Sequence, residues 1–380
     1  MYIFLGEVDF QLVEVLFEEQ FPGRDEFLLL VAEEVLAIVV AFHGSRAPAV
    51  GQRGLGTARP AGDGCTLAGT LDGTGDVAVR DNEGGRAAHI HTDDTWQIHV
   101  TDYEWCDVYG SVNANFTETP KEQYPKLVSM APSFGIRAMS DYRAFCMAAE
   151  TFLSAMPTII KRREWNKYKN KWDINVYNNI KHHFGKIYRT QKKRMPYSSY
   201  VEECCSLDDY VFFCSTLWYD HPDNQNDKGV NLRRAVFMRT CKSIPNVKFE
   251  GGFVADSTSS KEKFADLLTD GVSMNEWIRK TKLSAVVFNT PAFWNCHGWK
   301  LGEYLALGKC IISTPLSNDL PAPLEHGVHI HYVEPNEESI KEAVEYILSH
   351  KEYRKTLERN AKAYWDKYGA SEQSLHLLGV

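Results

Sequence analysis

Apolar positions follow two different periods in the second half of the chain, and their alternation predicts the fold. Short runs rich in β-branched and aromatic residues predict buried strands at 210–215, 247–253, 285–288, 310–312 and 328–333. Apolar residues that recur every three or four positions predict helices at 230–241, 261–268, 274–280, 336–348 and 351–368. Strands and helices that alternate at these lengths imply right-handed crossovers and a parallel sheet covered on both faces. The predicted fold class is therefore α/β.

One β-loop-α-β unit, residues 284–314, is the centre of this pattern. Its first strand ends near Pro291, and a loop rich in Trp, Asn, Cys, His and Gly leads into a short helix that Gly308 ends. In such a unit the loop and the helix N-terminus lie at the carboxyl edge of a parallel sheet, where backbone N–H groups favour an anionic ligand. Four residues of possible chemical importance fall there: His297, Gly298, Lys300 and Glu303.

The first half of the chain has a weaker pattern. Residues 1–43 alternate apolar and acidic positions, which favours one strand and one or two helices, including a buried helix at 27–42. Residues 44–88 contain eleven of the 26 glycines and no aromatic residue or lysine. Such a segment buries little apolar surface, so we expect it to be loop-like or disordered.

Order is predicted to resume at His89, with a strand at 96–100. The stretch after it brings Asp102, Glu104 and Asp107 close to a strand end. Carboxylates in such a cluster include candidates for a general base that activates a hydroxyl. The alternative is that these carboxylates only cap turns and bind water.

Histidines near the same place allow a metal site. His89, His91 and His99 lie close together in the sequence, and Asp93 and Asp94 fall between the last two of them. Imidazole and carboxylate groups at this spacing are metal ligands in many proteins. The alternative is a set of alternating residues on an exposed strand face, and the sequence alone favours that alternative, so no metal is predicted.

Residues 161–194 form a strongly basic segment. They contain twelve Lys and Arg residues against two acidic ones, and Trp165, Tyr168 and Trp172 fall on one face of a predicted helix. Basic and aromatic residues together are typical of a helix on an anionic membrane surface. An RNA or single-stranded partner, or a solvated helix whose aromatic residues face the core, are the alternatives.

Composition limits the class of protein. A chain of 380 residues, with 44% hydrophobic and 24% charged residues, suits a globular protein of two domains. The net charge of −8 gives no general attraction to nucleic acid. The nine cysteines include no Cys-x-x-Cys pair, which favours a reducing, cytoplasmic setting over a disulfide framework. No signal peptide is expected.

Two motifs in the second half resemble a known family. Residues 295–312 resemble the donor-site signature of group-1 glycosyltransferases of the two-Rossmann-domain (GT-B) fold, especially those of bacterial surface-polysaccharide gene sets. Upstream, Lys228 and Gly229 resemble the Lys-Gly pair that meets the donor diphosphate in that family. The likeness covers about residues 209–368. The positions of the signature that match in register are Gly298, Leu301, Glu303, Ala306, Gly308 and Ile312.

The resemblance implies a role for each matched residue. Glu303 would bind the ribose hydroxyls of a nucleotide-sugar, and Lys228, with Gly229, would neutralise its diphosphate. Gly298 would let the backbone approach the donor, and Lys300 would add a charge at the helix start. Two positions differ from the family. Asn295 stands where the family has a glutamate that contacts the donor sugar, and His297 replaces the usual aromatic residue.

The resemblance also implies an architecture and an activity. We expect an acceptor-side domain at 1–208 whose Rossmann-like fold is atypical or incomplete, a donor domain at 209–368 with a complete parallel sheet, and a tail at 369–380. The expected activity is transfer of a sugar from a nucleotide-sugar substrate to a glycan or lipid-linked acceptor, without cofactor, at the cytoplasmic face of a membrane. Since the sequence contains no Asp-x-Asp, transfer should be metal-independent. The alternatives are a nucleotide-sugar epimerase of the same fold and a non-catalytic nucleotide-binding or scaffold protein.

Overall fold

The fold is that of a computed structural model, in which two compact units are formed by residues 1–54 with 145–184 and by residues 55–144 with 185–380. Several predictions made above concern parts of the chain that are not described: the elements of 1–43, most of the basic segment 161–194, and Lys228. The division into domains at residue 208 stays a prediction. The structure describes residues 57–58, 65–68, 77–81, 86–150, 152–153, 184, 188–203, 205–218, 229–255 and 261–379.

The first unit is described only around its aromatic residues. Residues 145–150 are helical. The ring of Phe184 lies 5.7 Å from that of Phe145 and 6.0 Å from that of Phe152, between ring centroids. All further elements described below belong to the second unit.

A mixed sheet of six strands occupies the N-terminal part of the second unit. The strands pair in chain order, antiparallel from β1 to β4 and parallel from β4 to β6. The first three strands and part of the fourth fall within residues 44–88, so the expectation of a loop-like segment is wrong for these residues. Strand pairing uses backbone groups, which a segment poor in apolar residues still supplies. The strands are β1 (Thr57–Ala58), β2 (Cys65–Ala68), β3 (Val77–Asp81), β4 (Ala87–His91), β5 (Val108–Ser111) and β6 (Leu127–Ser129).

The segment between β4 and β5 differs from its prediction. Residues 96–99 have no regular structure and α1 (Val100–Trp105) follows, so the predicted strand at 96–100 is wrong. The alternation there spans only three apolar residues, and Val100 is 64% exposed, so no packed face holds a strand in place. Tyr103 of α1 instead packs against Tyr109 and Tyr124, with ring centroids 5.7 and 5.6 Å away.

The C-terminal part follows its predicted order closely, and every strand pairing described within it is parallel. Strand β7 pairs with β8, and β10 lies between β9 and β11. The last strand is shorter than its predicted range of 328–333. The strands are β7 (Tyr210–Leu217), β8 (Lys248–Ala255), β9 (Val287–Asn289), β10 (Ile311–Ser313) and β11 (His331–Tyr332). The helices are α2 (Arg189–Lys193), α3 (Ser198–Val201), α4 (Val230–Ser243), α5 (Met274–Leu283), α6 (Trp299–Ala306), α7 (Glu337–Ser349), α8 (Lys351–Tyr368) and α9 (Ser371–Leu378), with 3-10 turns at Glu262–Leu267 and Phe293–Asn295.

Successive residues of these strands enter two separate cores. Phe213 and Phe288 pack among residues of α4 and α7, whereas Phe212 and Ile311 pack among residues of α5, α6 and α8. This two-residue alternation, with helices against both faces, confirms the predicted α/β class and the covered parallel strands.

Local signals at helix ends also hold. The side chain of Asn336 accepts a hydrogen bond from Ser339 N (2.9 Å) and so caps α7 at the start of the helix predicted for 336–348. Gly308, just after α6, has φ of 61°. A left-handed residue at this position ends a helix, and glycine adopts that conformation at least cost.

Helix α9 lies in the predicted tail and returns to the N-terminal sheet. Leu378 is buried in one core with Ala88, Val108 and Met130. Its methyl carbon would lie 2.8 Å from a Cβ at Gly110 of β5, so the glycine makes room for it. Among the described residues, no helix is both long and apolar enough to cross a membrane.

Candidate functional site

The two ladders of the C-terminal part meet between β7 and β9. Ala285 N donates to Tyr210 O (2.7 Å), and Phe212 N donates to the hydroxyl of Ser284 (2.8 Å), at the amino ends of both strands. Beyond these contacts the described residues of β7 and β9 form no ladder. The resulting spatial order is β8-β7-β9-β10-β11, in which the chain reverses direction across the sheet between β7 and β9. Ligands of open α/β sheets bind beside the carboxyl ends of the strands at such a point.

The loop after β9, residues 290–298, covers that point. Arg233 of α4 fixes its start by donating from Nε to Thr290 Oγ1 (2.7 Å) and from Nη2 to the carbonyl of Pro291 (3.2 Å). Asn295, which replaces the family's glutamate, has φ of 61°, a conformation that asparagine tolerates better than most residues. Its carbonyl accepts a hydrogen bond from Asn318 Nδ2 (3.3 Å).

Gly298 joins this loop to α6. It is the N-cap residue of the helix, with φ of 70° and ψ of 157°. Side-chain-bearing residues are excluded from that region, which only glycine enters readily. The N–H groups of the first turn of α6 are therefore presented beside a backbone without a side chain, which suits a phosphate group.

Lys300 and Glu303 form the charged pair of α6. Lys300 Nζ donates to the carbonyl of Cys214 in β7 (3.0 Å) and lies 4.7 Å from the ring centroid of Trp277. Burial lowers the pKa of Lys300, and nearby Glu303 partly raises it. Glu303 is 5% exposed, and burial raises the pKa of its carboxyl although Lys300 acts in the opposite direction.

Arg234 of α4 is a further cation at this place, and the sequence analysis missed it. Its side chain is 7% exposed, and among the described residues its Nη1 has no hydrogen-bond partner. Burial lowers its pKa to about 10, so it remains charged at neutral pH. Its charge also lowers the pKa of Lys300, which places the two cations near each other.

This arrangement leaves positive charge only partly compensated. Lys300 lies near one carboxyl group, Glu303, whose own ionisation burial opposes, and Arg234 lies near Lys300. A buried cationic nitrogen without a hydrogen-bond partner is costly, and a bound anion would supply an acceptor and a compensating charge. The geometry of the residues present therefore fits an anionic ligand between α4 and α6.

A shallow cleft lies beside the N-terminus of α6. It lies at the carboxyl edge of β4, β5 and β6, the edge where parallel strands of such folds present their ligand-binding loops. Residues from both parts of the unit line it: Thr92, Asp94, Val112, Asn113, Pro132, Ser133, His297, Gly298 and Trp299. Gly302 packs close to this wall, since a Cβ there would lie 2.4 Å from the carbonyl oxygen of Pro132.

Polar contacts hold the two sides of the cleft together. Asn113 Oδ1 accepts from His297 N (2.9 Å) and from Asn318 Nδ2 (3.3 Å). Asp319 accepts from Phe116 N through Oδ2 (2.6 Å), and its carbonyl accepts from Ser129 Oγ (2.8 Å). The loop after β10 thus fixes the loops after β5 and β6.

His297 is buried at the centre of these contacts. It is 2% exposed, its Nε2 lies 3.5 Å from the carbonyl oxygen of Asp319, and its Nδ1 has no partner among the described residues. Burial lowers its pKa to about 4, so the ring is neutral at pH 7. A neutral imidazole with a free nitrogen is able to exchange a hydrogen bond with a ligand in the cleft.

Asp94 is the carboxylate that lines the cleft. Its Oδ1 lies 3.5 Å from the thiol of Cys296, at hydrogen-bond distance for sulfur. The side chain remains accessible, and partial burial raises its pKa, with an opposing effect from Cys296 and a further rise from Asp93. A raised pKa in a cleft is one property of a general base.

The three carboxylates predicted as catalytic lie elsewhere along the same segment. Asp102 and Glu104 belong to α1, and Asp102 Oδ2 lies 3.6 Å from His99 Nδ1. Asp107 precedes β5 and accepts from Ala87 N (2.8 Å), at the amino edge of β4 and β5. The cleft is at the carboxyl edge of these strands. The catalytic role of the three residues stays a prediction.

The predicted donor residues are placed as follows. Asn295, His297, Gly298, Lys300 and Glu303 come together in the loop after β9 and in α6. Gly229 immediately precedes α4 with an ordinary φ of −96°, and Lys228 lies outside the described residues. The sequence offered one signal for Arg234, its place on the buried face of α4 with Val230, Phe237 and Cys241. Asn113, Asn318 and Asp319 gave no local signal because their partners are distant in sequence.

Neither a known protein family nor a curated protein matches this sequence. Solved structures that match include the C-terminal domain of the group 1 glycosyltransferase LpcC from Francisella tularensis, at 13% identity over 44% of this chain and 96% of that one, with a TM-score of 0.32. A glycosyltransferase from Rickettsia africae matches at 12% identity over 75% of this chain and 65% of that one, with a TM-score of 0.38.

A third match is HepE of Anabaena in complex with UDP and glucose, at 12% identity over 72% of this chain and 91% of that one, with a TM-score of 0.35. The chain therefore spans about two thirds of the Rickettsia protein and most of HepE. Because these identities and TM-scores are low, the fold and the site are established only by the strand pairing and contacts of this chain.

Proposed function

We propose that this protein is a glycosyltransferase that binds a nucleoside diphosphate sugar beside β7 and β9 and transfers the sugar to a glycan or lipid-linked acceptor. The observation that carries the proposal is the buried, incompletely partnered Arg234 beside Lys300 and the Gly298 cap of α6. The sequence motif at 295–312 supports the same conclusion independently.

Sugar transfer requires stabilisation of charge on the departing diphosphate. Arg234, Lys300 and the first N–H groups of α6 would bind the phosphate oxygens in a site from which water is largely excluded. Lys228, at the end of the undescribed segment before α4, would add a cation. Glu303 would accept hydrogen bonds from the ribose hydroxyls, in the role that the family resemblance implies. In this proposal the protein's own cations stabilise the leaving group, so transfer is metal-independent.

An inverting reaction would need a carboxylate near the acceptor. Asp94 is favoured for this role over Asp102, Glu104 and Asp107 because it lines the cleft close to Gly298. Partial burial raises its pKa, which makes the carboxylate a better proton acceptor than a fully exposed aspartate. A retaining reaction would leave Asp94 free to bind the acceptor hydroxyl.

Two alternatives make different demands on the same site. An epimerase would bind the same donor but would turn it over without any acceptor. A scaffold protein would bind nucleotide without turnover. The resemblance of residues 295–312 to the glycosyltransferase donor-site signature favours the transferase.

The experiment that tests the proposal is a binding and turnover series on the full chain. Thermal shift with UDP, GDP, dTDP and ADP, each against its monophosphate, identifies the base. The matching nucleotide-sugars are then incubated with and without glycan and lipid acceptors. Acceptor-dependent release of a nucleoside diphosphate is the expected result. Release of an epimerised sugar nucleotide alone would favour the epimerase, and protection without turnover would favour the scaffold.

The cellular setting follows from the acceptor in this proposal. A lipid-linked acceptor would place the enzyme at the cytoplasmic face of a membrane, with the basic segment 161–194 against anionic lipid. Sedimentation with vesicles that contain anionic lipid, compared with neutral vesicles, checks this point. We expect salt-sensitive binding to the anionic vesicles only.

A further inference from the structure

Three side chains around the end of β4 converge on one point away from the donor site. His91 Nε2 lies 3.5 Å from Asp93 Oδ2, and His99 Nε2 lies 3.7 Å from the same oxygen. One ligand atom from each residue falls within 4.8 Å of the others. The side chain of His91 is 1% exposed, whereas Asp93 and His99 are 30% and 39% exposed, so the group is open to solvent on one side.

The separations resemble those of metal ligands more than those of hydrogen-bonded groups. A good N–H···O hydrogen bond has a donor-acceptor distance of about 2.7–3.2 Å, and both contacts to Asp93 exceed that range. Ligand atoms held at ~2.0–2.2 Å from a tetrahedral metal are separated by roughly 3.4 Å. The two histidines and the aspartate need only a small closure to reach that spacing.

The surroundings of His99 complete the arrangement. Its Nε2 faces Asp93, while Asp102 Oδ2 lies 3.6 Å from its other ring nitrogen, Nδ1. If this pair closes to hydrogen-bond distance when a metal binds, the carboxylate would orient the metal-binding imidazole and raise its basicity. The rings of His91 and His99 meet at 60° with centroids 4.6 Å apart. The Nε2 atoms of both rings face the same carboxylate oxygen of Asp93.

We propose that His91, Asp93 and His99 bind a divalent transition metal of the zinc class, with Asp102 orienting His99. Two imidazoles and one carboxylate are three ligands of a tetrahedral site, whose fourth position would hold water. The metal would fix residues 92–99 against β4. That segment carries Thr92 and Asp94, which line the cleft, so the site is linked to the cleft but not to the donor phosphates. This proposal stands independently of the proposed function, and in it the metal holds a loop instead of taking part in transfer.

The test is metal binding by the full chain after exhaustive dialysis against a weak chelator. Zinc is titrated by calorimetry into the wild type and into the His99→Asn, Asp93→Asn and Asp102→Asn variants. His376→Asn, in the exposed part of α9, is the matched control. Substitution with cobalt gives a second reading, because cysteine ligands produce a thiolate charge-transfer band that histidine and aspartate ligands lack. Circular dichroism verifies that each variant is folded.

The expected result is one zinc per wild-type chain with no thiolate band. Affinity should fall at least 100-fold in His99→Asn and in Asp93→Asn, and by roughly 10–100-fold in Asp102→Asn. His376→Asn should bind as the wild type does. Equal zinc affinity in the wild type and in folded His99→Asn would overturn the proposal, as would a thiolate band or no zinc bound to the wild type. Magnesium, a control ion that prefers oxygen ligands, should not compete.

Discussion

Two groups of strands in the described part of the second unit, β7 to β11 and β4 to β6, are stabilised in different ways. Strands β7 to β11 are covered on both faces by helices of their own segment, and each strand places alternate residues in two cores. Strands β4 to β6 instead take a buried contact from Leu378, near the end of the chain, and their loops bond to Asp319. Most of the residues that cover β7 to β11 come from the same segment, with Phe134 and Ile136 added on one face. Strands β4 to β6 depend on residues distant in the sequence, and the cleft is formed where the two regions meet.

Substitution of Leu378 is the strongest test of whether strands β4 to β6 depend on residues distant in the sequence. Leu378→Ala removes a 1% exposed side chain from the core that contains Val108 and Met130, so we expect a loss of about 3 kcal/mol in the free energy of unfolding. Urea unfolding measures it. Leu232→Ala is the control. The side chain of Leu232 on α4 is 40% exposed, so this substitution should change the free energy of unfolding little.

Hydrogen exchange sharpens the same test. In Leu378→Ala, amides of β5 and β6 should lose protection while those of β7 and β10 keep theirs. An equal loss of amide protection in β5, β6, β7 and β10 would contradict the proposed difference in how the two groups of strands are stabilised.

Substitution of Arg234 tests whether strands β7 to β11 and their helices carry the anion site. Arg234→Met replaces a buried cation with an apolar side chain of similar length, so stability should be unchanged or raised. Affinity for a nucleoside diphosphate should fall about 10–100-fold, the effect of one charge-assisted hydrogen bond. Calorimetric titration measures it.

Arg239→Met is the matched control for that change. Arg239 lies on the same helix but is exposed and paired with Asp266 (2.8 Å), so nucleotide affinity should not change. Equal losses in the two variants would indicate a general charge effect on α4 instead of a site at Arg234.

His297 gives the contact between the two regions a pH dependence. Its pKa is about 4 in the folded chain and near 6.5 when unfolded, so between these values the unfolded chain binds a proton that the folded chain does not. Stability should therefore fall as pH is lowered, by about 2 kcal/mol from pH 7 to pH 5 through this residue.

Urea unfolding of His297→Gln at pH 7 and pH 5 checks this prediction. The variant should lose that part of the pH dependence, whereas His376→Gln should keep it. Some dependence of the free energy of unfolding on pH will remain, because burial also lowers the pKa of His331 to about 4. An unchanged slope in His297→Gln would show that the ring is not buried in its neutral form.

Asn113 gives the smallest expected effect. Asn113→Ala removes the acceptor for His297 N and should cost about 1 kcal/mol of stability. It should also weaken nucleotide binding a few-fold by loosening residues 290–298. Asn336→Ala removes a helix cap of similar worth but lies away from the site, so it should lower stability without changing nucleotide affinity.

Local sequence patterns predicted the loop and helix after β9 but not the residues that contact them from distant parts of the chain. The loop and helix at Gly298 and Glu303 lie between two apolar strands, and helix α4 follows from its own spacing. Arg234 was missed because its burial and its unpartnered Nη1 become apparent only in the folded chain. Asn113 was missed, and Asp94 was considered only as a metal ligand, because their partners, His297 and Cys296, are 184 and 202 residues away in the chain. The strand predicted at 96–100 failed because alternation over three apolar residues does not outweigh exposure.

A crystal structure of the full chain with a bound nucleoside diphosphate tests the central claim most directly. The account predicts phosphate oxygens within hydrogen-bond distance of Arg234 and of the first N–H groups of α6, with the ribose hydroxyls on Glu303. A nucleotide bound at the amino edge of the strands, or one that leaves Arg234 without a partner, would contradict it.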